Sequence, residues 1–184
     1  MNRFLSLLII LISCDEVQTR SPINKNPMSF IKKSATKNKL RASREQFLMN
    51  ISAKNDSLNI YKSSPKGFLY SIQNGNKNKR LAKKGDFVKI IYTIQDLNNN
   101  ILYSANEIGN VSFLVDQEDV MPALREGVKY LSEGDSGVFL FPSYLCFGYQ
   151  GDFEKIGSNQ PLRIKINLLT LSKIKKWKNL FFTS

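Results

Sequence analysis

The chain has 184 residues, of which 42% are hydrophobic and 23% charged, with a net charge of +12 and no histidine. That length holds one domain of ordinary size with segments to spare, and the composition excludes fibrous and fully disordered classes. The missing histidine removes the usual neutral-pH general base and the commonest metal ligand, and Cys14 and Cys146 are too few for a disulfide framework. No phosphate-binding glycine motif, Ser-His-Asp set or Cys-His pair is found in the sequence. Neither a cofactor nor a metal is expected, and any catalysis must need no proton shuttle.

The chain opens with Arg3 and an apolar run from Phe4 to Ile12, broken by Ser6. The run falls short of the roughly 20 residues that span a bilayer but suits the apolar region of an export signal. It ends in Leu11-Ile12-Ser13-Cys14, which resembles the lipobox of bacterial lipoproteins. In that family the cysteine takes a diacylglycerol and the signal before it, here 1–13, is removed. The resemblance implies lipid on Cys14 and a place in the bacterial cell envelope. The outer membrane is the expected site, at its periplasmic or surface face, and an ordinary secretory signal is the alternative.

Residues 14–40 are rich in Lys, Asn and Ser, and no acid stands between Val17 and Arg44. The composition reads as a disordered basic tether, because ordering it costs backbone entropy that few apolar contacts repay. Contact with an anionic envelope surface is the functional alternative to a merely solvated tether. Nucleic acid is not expected as a partner, since no aromatic interleaving or zinc-finger spacing accompanies the lysines. Within 41–84, Leu40, Phe47, Leu48 and Ile51 suit a short amphipathic helix, with Ser43 and Gln46 as a capping box. Phe68, Tyr70 and Ile72 then alternate as an added strand, and a linker runs to Lys84.

From 85 to 171 the pattern is more regular. Val88, Ile90, Tyr92 and Ile94 alternate with Phe87, Lys89, Ile91 and Thr93, and Asp96 to Asn100 is a turn cluster before a return strand at Ile101 to Ser104. Val111, Phe113 and Val115 repeat the period of two. Pro122 suits the first position of a helix that carries Leu124, Val128 and Leu131 on one face and ends near Gly134. Val138 and Leu140 oppose Phe139 and Phe141, and Leu162, Ile164, Ile166 and Leu168 alternate with Arg163, Lys165 and Asn167, a core face against a solvent face. Five or six short strands and one helix predict an α+β fold in which a twisted antiparallel sheet wraps the helix, preceded by an N-terminal extension. The remaining segment, 172–184, is a basic aromatic tail with four lysines around Trp177, read either as docking on the sheet or as touching lipid.

Several blocks in this order resemble FKBP-type peptidyl-prolyl isomerases. They are Gly85 to Tyr92, Val120-Met121-Pro122-Ala123-Leu124-Arg125-Glu126-Gly127-Val128, Gly134-Asp135, Pro142 to Gly148, and Pro161 to Leu169. The lipobox, basic segment, and pre-domain helix and strand are similar to the gliding motility-associated lipoprotein isomerases of Bacteroidetes. The resemblance implies an FKBP-like fold with a proline pocket in which Tyr92, Phe147 and Ile156 are catalytic and Leu102, Phe113, Val120, Met121, Leu124 and Ile164 bind substrate. It further implies that the Ile156 backbone N–H donates to the carbonyl before the substrate proline. Bottom-up, each of these side chains is equally suited to a core. Four positions depart from the family pattern: Leu124 replaces a tryptophan, Phe147 a tyrosine, Tyr103 an aspartate and Gly157 a proline.

The implied function is prolyl isomerisation in X–Pro segments of exported proteins, assisting their folding, gliding proteins among them. The alternative is an FKBP-fold lipoprotein with weak or no turnover that acts as a binding or scaffold module. Cys146, inside an aromatic run and without histidine, reads as a small buried hydrophobe.

Overall fold

The computed structural model describes residues 27–73 and 79–173. The readings of the export signal, of Cys14, of the first part of the tether and of most of the tail lie outside the described residues. The chain divides into two units, 1–37 and 38–184, and the sheet, its core and the last turns of the first helix belong to the second.

Helix α1 runs Pro27–Asn55. This corrects two expectations, a disordered tether reaching residue 40 and a short helix capped at Ser43. Pro27 occupies the first helical position, where its missing N–H costs nothing, and from Met28 to Asn55 no glycine or proline interrupts a run rich in Lys, Ala, Arg, Gln, Leu and Met. Ser43 is therefore an interior residue. No described helix is long and apolar enough to cross a membrane. The helix seats one face on the domain through Glu45, Met49 and Ser52, spaced four and three residues apart, and all three are buried.

The strands are β1 (Lys62–Ser63), β2 (Leu69–Gln73), β3 (Asp86–Gln95), β4 (Ile101–Tyr103), β5 (Val111–Leu114), β6 (Ser136–Phe141) and β7 (Leu162–Lys173). They form one antiparallel sheet in the order β1-β2-β6-β7-β3-β4, and β5 shares the outer edge of β3 with β4. The predicted α+β architecture holds, with one strand more than expected. Two short helices interrupt the strands, α2 (Ala105–Ile108) and α3 (Pro122–Gly127), and α3 continues as a 3-10 turn at Val128–Tyr130. The core helix thus ends well before Gly134. Helix α2 starts with a full capping box, Ser104 Oγ accepting from the Glu107 N–H and Glu107 accepting from the Ser104 N–H. That pattern, Ser-x-x-Glu, stands in the sequence and was missed.

The main core lies between the inner face of the sheet and α3. Directly opposed residues of β3 and β7, Ile90 with Leu168, Tyr92 with Ile166 and Ile94 with Ile164, share that face. Between Lys89 and Ile90 the register shifts past Leu169, so Leu168 and Leu171 both point inward while Leu169 is exposed. Helix α3 approaches closely because Gly127 has no side chain: a Cβ there would stand 2.9 Å from Ile166 Cδ1 and 3.3 Å from Phe141 Cζ.

The outer face is covered as well at β2, β6 and β7. Met49, Leu69 and Leu140 form a second apolar cluster beneath α1. Beside them sits Arg163, 2% exposed, at a position the alternation assigned to solvent. Its guanidinium donates to Asp56 Oδ2 (2.6 Å), the Tyr61 hydroxyl (2.9 Å) and Ser52 Oγ (2.9 Å). The covering helix is what turns this polar position into a buried one. Glu45 anchors the same helix farther along, accepting from the Ser143 N–H (2.7 Å) and Ser143 Oγ (2.8 Å).

Candidate functional site

The residues predicted for the proline pocket converge. Phe113, Leu124, Ile156 and Ile164 are buried in the main core, and Tyr92, Leu102, Val120, Met121 and Phe147 are partly exposed and packed against it. The sheet explains the convergence. Tyr92 and Ile164 stand on the inner face of neighbouring strands, Phe113 lies across from Val88 on β5, and Leu124 projects from α3. Leu102 falls where the β3–β4 register shifts, since Ile94 faces Tyr103 while Gln95 faces Ile101. A bulge of this kind re-aims a side chain, and here it adds Leu102 to the apolar rim. Val120 and Met121 lead into α3, whose start is fixed by Pro122.

Together these side chains make a sealed apolar floor with a ring of half-exposed apolar groups around it. Leu124, in the place of the family's tryptophan, is 3% exposed. Hollows of about 350 and 490 Å³ lie elsewhere, on the outer face, the first lined by Asp56, Asn59, Arg163 and Lys165 and the second by Phe47, Ile51, Tyr61 and Leu69. Burial raises the Tyr92 phenol above its ordinary range, so its hydroxyl keeps its proton at neutral pH. Burial above all, with the Glu45 carboxylate adding to it, pushes the Cys146 thiol far up, which removes it as a nucleophile.

The backbone donor expected at Ile156 is occupied. Its N–H donates to Asp152 Oδ1 at 2.7 Å, which corrects the role carried over for it. Beside the floor, the Met121 N–H makes no hydrogen bond among the described residues, because it precedes the first turn of α3. It is the rim's free donor.

Asp152 and Tyr103 are site residues that sequence reasoning did not assign. The Tyr103 hydroxyl donates to Asp152 Oδ2 at 2.5 Å, and Asp152 Oδ1 also accepts from the Glu154 N–H at 2.9 Å. The Asp152 bond, with some desolvation, lifts the Tyr103 phenol to about 12. Burial alone would raise the Asp152 carboxyl, but the Tyr103 and backbone donors outweigh it and hold it low. Gly151, before it, has φ +72°, and a Cβ there would stand 2.2 Å from the Ile156 carbonyl oxygen. Gly151-Asp152 was the available signal, a left-handed residue followed by a side chain that caps its own loop.

Comparison with known proteins agrees with this architecture. Residues 78–169 match the family model of FKBP-type peptidyl-prolyl cis-trans isomerases. The chain is 30% identical over 128 residues to a probable FKBP-type peptidyl-prolyl cis-trans isomerase, FkpA, of Neisseria meningitidis, covering 69% of this chain and 44% of that protein. It thus spans under half the length of that relative. The crystal structure of FkpA from Escherichia coli superposes with a TM-score of 0.58 at 22% identity, over 80% of this chain and 65% of that one. A peptidyl-prolyl cis-trans isomerase from Pseudomonas syringae gives 0.58 at 17% identity, over 73% of this chain and 96% of that one. At such identities the two structures speak for the fold. The family match spans the strands, α3 and the loop that carry the apolar floor and rim, and on that ground the chain belongs to the FKBP-type peptidyl-prolyl cis-trans isomerase family.

Proposed function

We propose that the chain is a prolyl isomerase acting on X–Pro segments of exported proteins at the bacterial envelope. The observation that carries this reading is the convergence of ten apolar or aromatic side chains, Tyr103 among them, on one floor and rim inside the matched region. Rotation about an X–Pro bond faces a barrier of roughly 20 kcal/mol set by amide resonance. An apolar rim of Tyr92, Leu102, Val120, Met121 and Phe147 strips water from the prolyl ring and disfavours the charge-separated planar form. The Met121 N–H holds a substrate carbonyl, and the protonated Tyr92 hydroxyl supplies a second donor. Both favour the twisted peptide over the planar one, and no titrating group is required.

Lipid on Cys14 holds the protein at the membrane in this reading, and the basic residues from Arg20 to Arg44 face an anionic envelope surface. Proteins of gliding motility are one client class. Replacing Cys14 by Ser abolishes incorporation of labelled fatty acid; label retained in that variant overturns the anchor.

A second reading, an X–Pro binding module without turnover, is favoured by the seal over Leu124. The two readings part on a coupled isomerisation assay with X–Pro tetrapeptides. Catalysis above the spontaneous rate supports the first, and saturable binding without acceleration supports the second.

A further inference from the structure

The loop that follows Phe147 contains a residue that neither the core nor the mechanism uses. Phe153 is 85% exposed and has φ +65°, a left-handed conformation that is sterically costly for a residue with a bulky side chain. Its neighbours enforce that conformation. Asp152 Oδ1 accepts from the N–H groups of Glu154 and Ile156, closing a turn around Phe153, and the Asp152 N–H donates to the Ile156 carbonyl at 3.1 Å. Asp152 Oδ2 ties the turn to the Tyr103 hydroxyl on β4. Lys155 adds a second tie, its ammonium 4.5 Å from the centre of the Tyr103 ring and 2.9 Å from Glu107 Oε1 on α2. Tyr103 packs on the same apolar cluster as Leu102 and Phe147, and Ile156 is part of its floor. The turn is therefore fastened to the pocket on both sides of Phe153, and what it displays to solvent is an aromatic ring.

We propose that Phe153 is a specificity-determining residue that packs on an apolar side chain adjacent to the substrate proline, and that Tyr103 and Asp152 are positioning residues that set it. The proposal rests on the X–Pro reading above and adds the class of segment taken, an apolar–Pro or Pro–apolar pair. A preset aromatic contact favours such segments because its ordering is complete before binding. The gain is modest, since one added aromatic contact changes affinity by about three- to tenfold.

The test uses the peptides Ala-Ala-Pro-Ala, Ala-Leu-Pro-Ala and Ala-Ala-Pro-Phe with the wild-type protein and with Phe153→Asn, Phe153→Tyr and Tyr103→Phe. Asparagine tolerates the left-handed conformation, so Phe153→Asn keeps the turn and removes the ring. The wild type is expected to prefer at least one apolar peptide over the alanine peptide by about three- to tenfold in kcat/KM. Phe153→Asn reduces that ratio to within about twofold of unity, with a thermal midpoint equal to or above that of the wild type. Phe153→Tyr restores the preference, and Tyr103→Phe, which keeps its ring but not its bond to Asp152, weakens it. A ratio unchanged in Phe153→Asn overturns the proposal, as does a wild type without preference. Should the wild type bind without turnover, the same ratios are read from dissociation constants. That outcome sinks the isomerase reading and still decides this one, whereas a wild type that binds none of the three peptides overturns both.

Discussion

Arg163 and Asp56 meet at 2.6 Å under the end of α1, with Tyr61 and Ser52 completing the arginine's partners. Burial on its own would raise the Asp56 carboxyl, but hydrogen bonds from Arg163, Tyr61 and Asn59 outweigh it and bring it to about 2, below its ordinary value of 3.8. A carboxyl lowered on folding contributes stability that is present above its unfolded value and lost as pH falls towards its folded one. The protein should therefore lose stability between about pH 4 and pH 2, and Asp56→Asn should flatten that slope in denaturant titrations across the window. Asp86 is lowered as well, its bonds to Arg80 and the Lys83 N–H overcoming burial, so the slope diminishes without vanishing. Arg163→Ala should cost about 3 kcal/mol of unfolding free energy at pH 7, because it strands the carboxylate and the groups around it. Leu124 gives a prediction of the opposite kind. At 3% exposure it has no room beside it, so Leu124→Trp should destabilise the fold by about 1–3 kcal/mol by overpacking and should not raise kcat/KM. A stable Leu124→Trp protein with higher kcat/KM would show that the floor is open.

At the scale of elements, α1 and the loop after Phe147 set the two faces of the sheet. Residues 31–40 of α1 are almost all exposed, whereas Glu45, Met49 and Ser52 are buried against the domain. Truncation of residues 17–40 should leave the thermal midpoint nearly unchanged, and extending the cut through Ser52 should cost more than about 3 kcal/mol, since it removes a buried methionine and partners of Ser143 and Arg163. Equal midpoints for the two truncations would contradict the clamp. The strands were legible because a period of two leaves a regular trace, as at Val88 to Ile94 and Leu162 to Leu168. The length of α1 was not, because the run from Pro27 to Leu40 has helical propensity without an apolar stripe, and composition there speaks equally for disorder. Arg163 was misread for a related reason: alternation assigns a residue to a face but cannot say that a distant helix covers that face. In the site, side chains fixed by strand and helix positions were legible, from Tyr92 on β3 to Leu124 on α3. The Tyr103–Asp152 bond joins residues 49 apart in sequence, and no local pattern encodes such a pairing.

For the whole molecule, the two-sided burial of β6 and β7 makes the domain and the end of α1 one folding unit, with the apolar floor on one face and the ionic clamp on the other. The clamp supports the strand that carries Ile164 into the floor, because Arg163 is its chain neighbour. Substitutions in the clamp should thus lower stability while leaving kcat/KM of the folded fraction within about twofold, whereas substitutions in the rim should do the reverse. The central claim is that this rim accelerates rotation about X–Pro bonds. The direct measurement is the catalysed isomerisation rate of an X–Pro tetrapeptide with the purified protein, run beside Tyr92→Ala. The account predicts acceleration above the spontaneous rate and a loss of about tenfold or more in kcat/KM for Tyr92→Ala, at a stability that keeps the variant folded at assay temperature. No acceleration by the wild type, or equal rates for the two proteins, would contradict it.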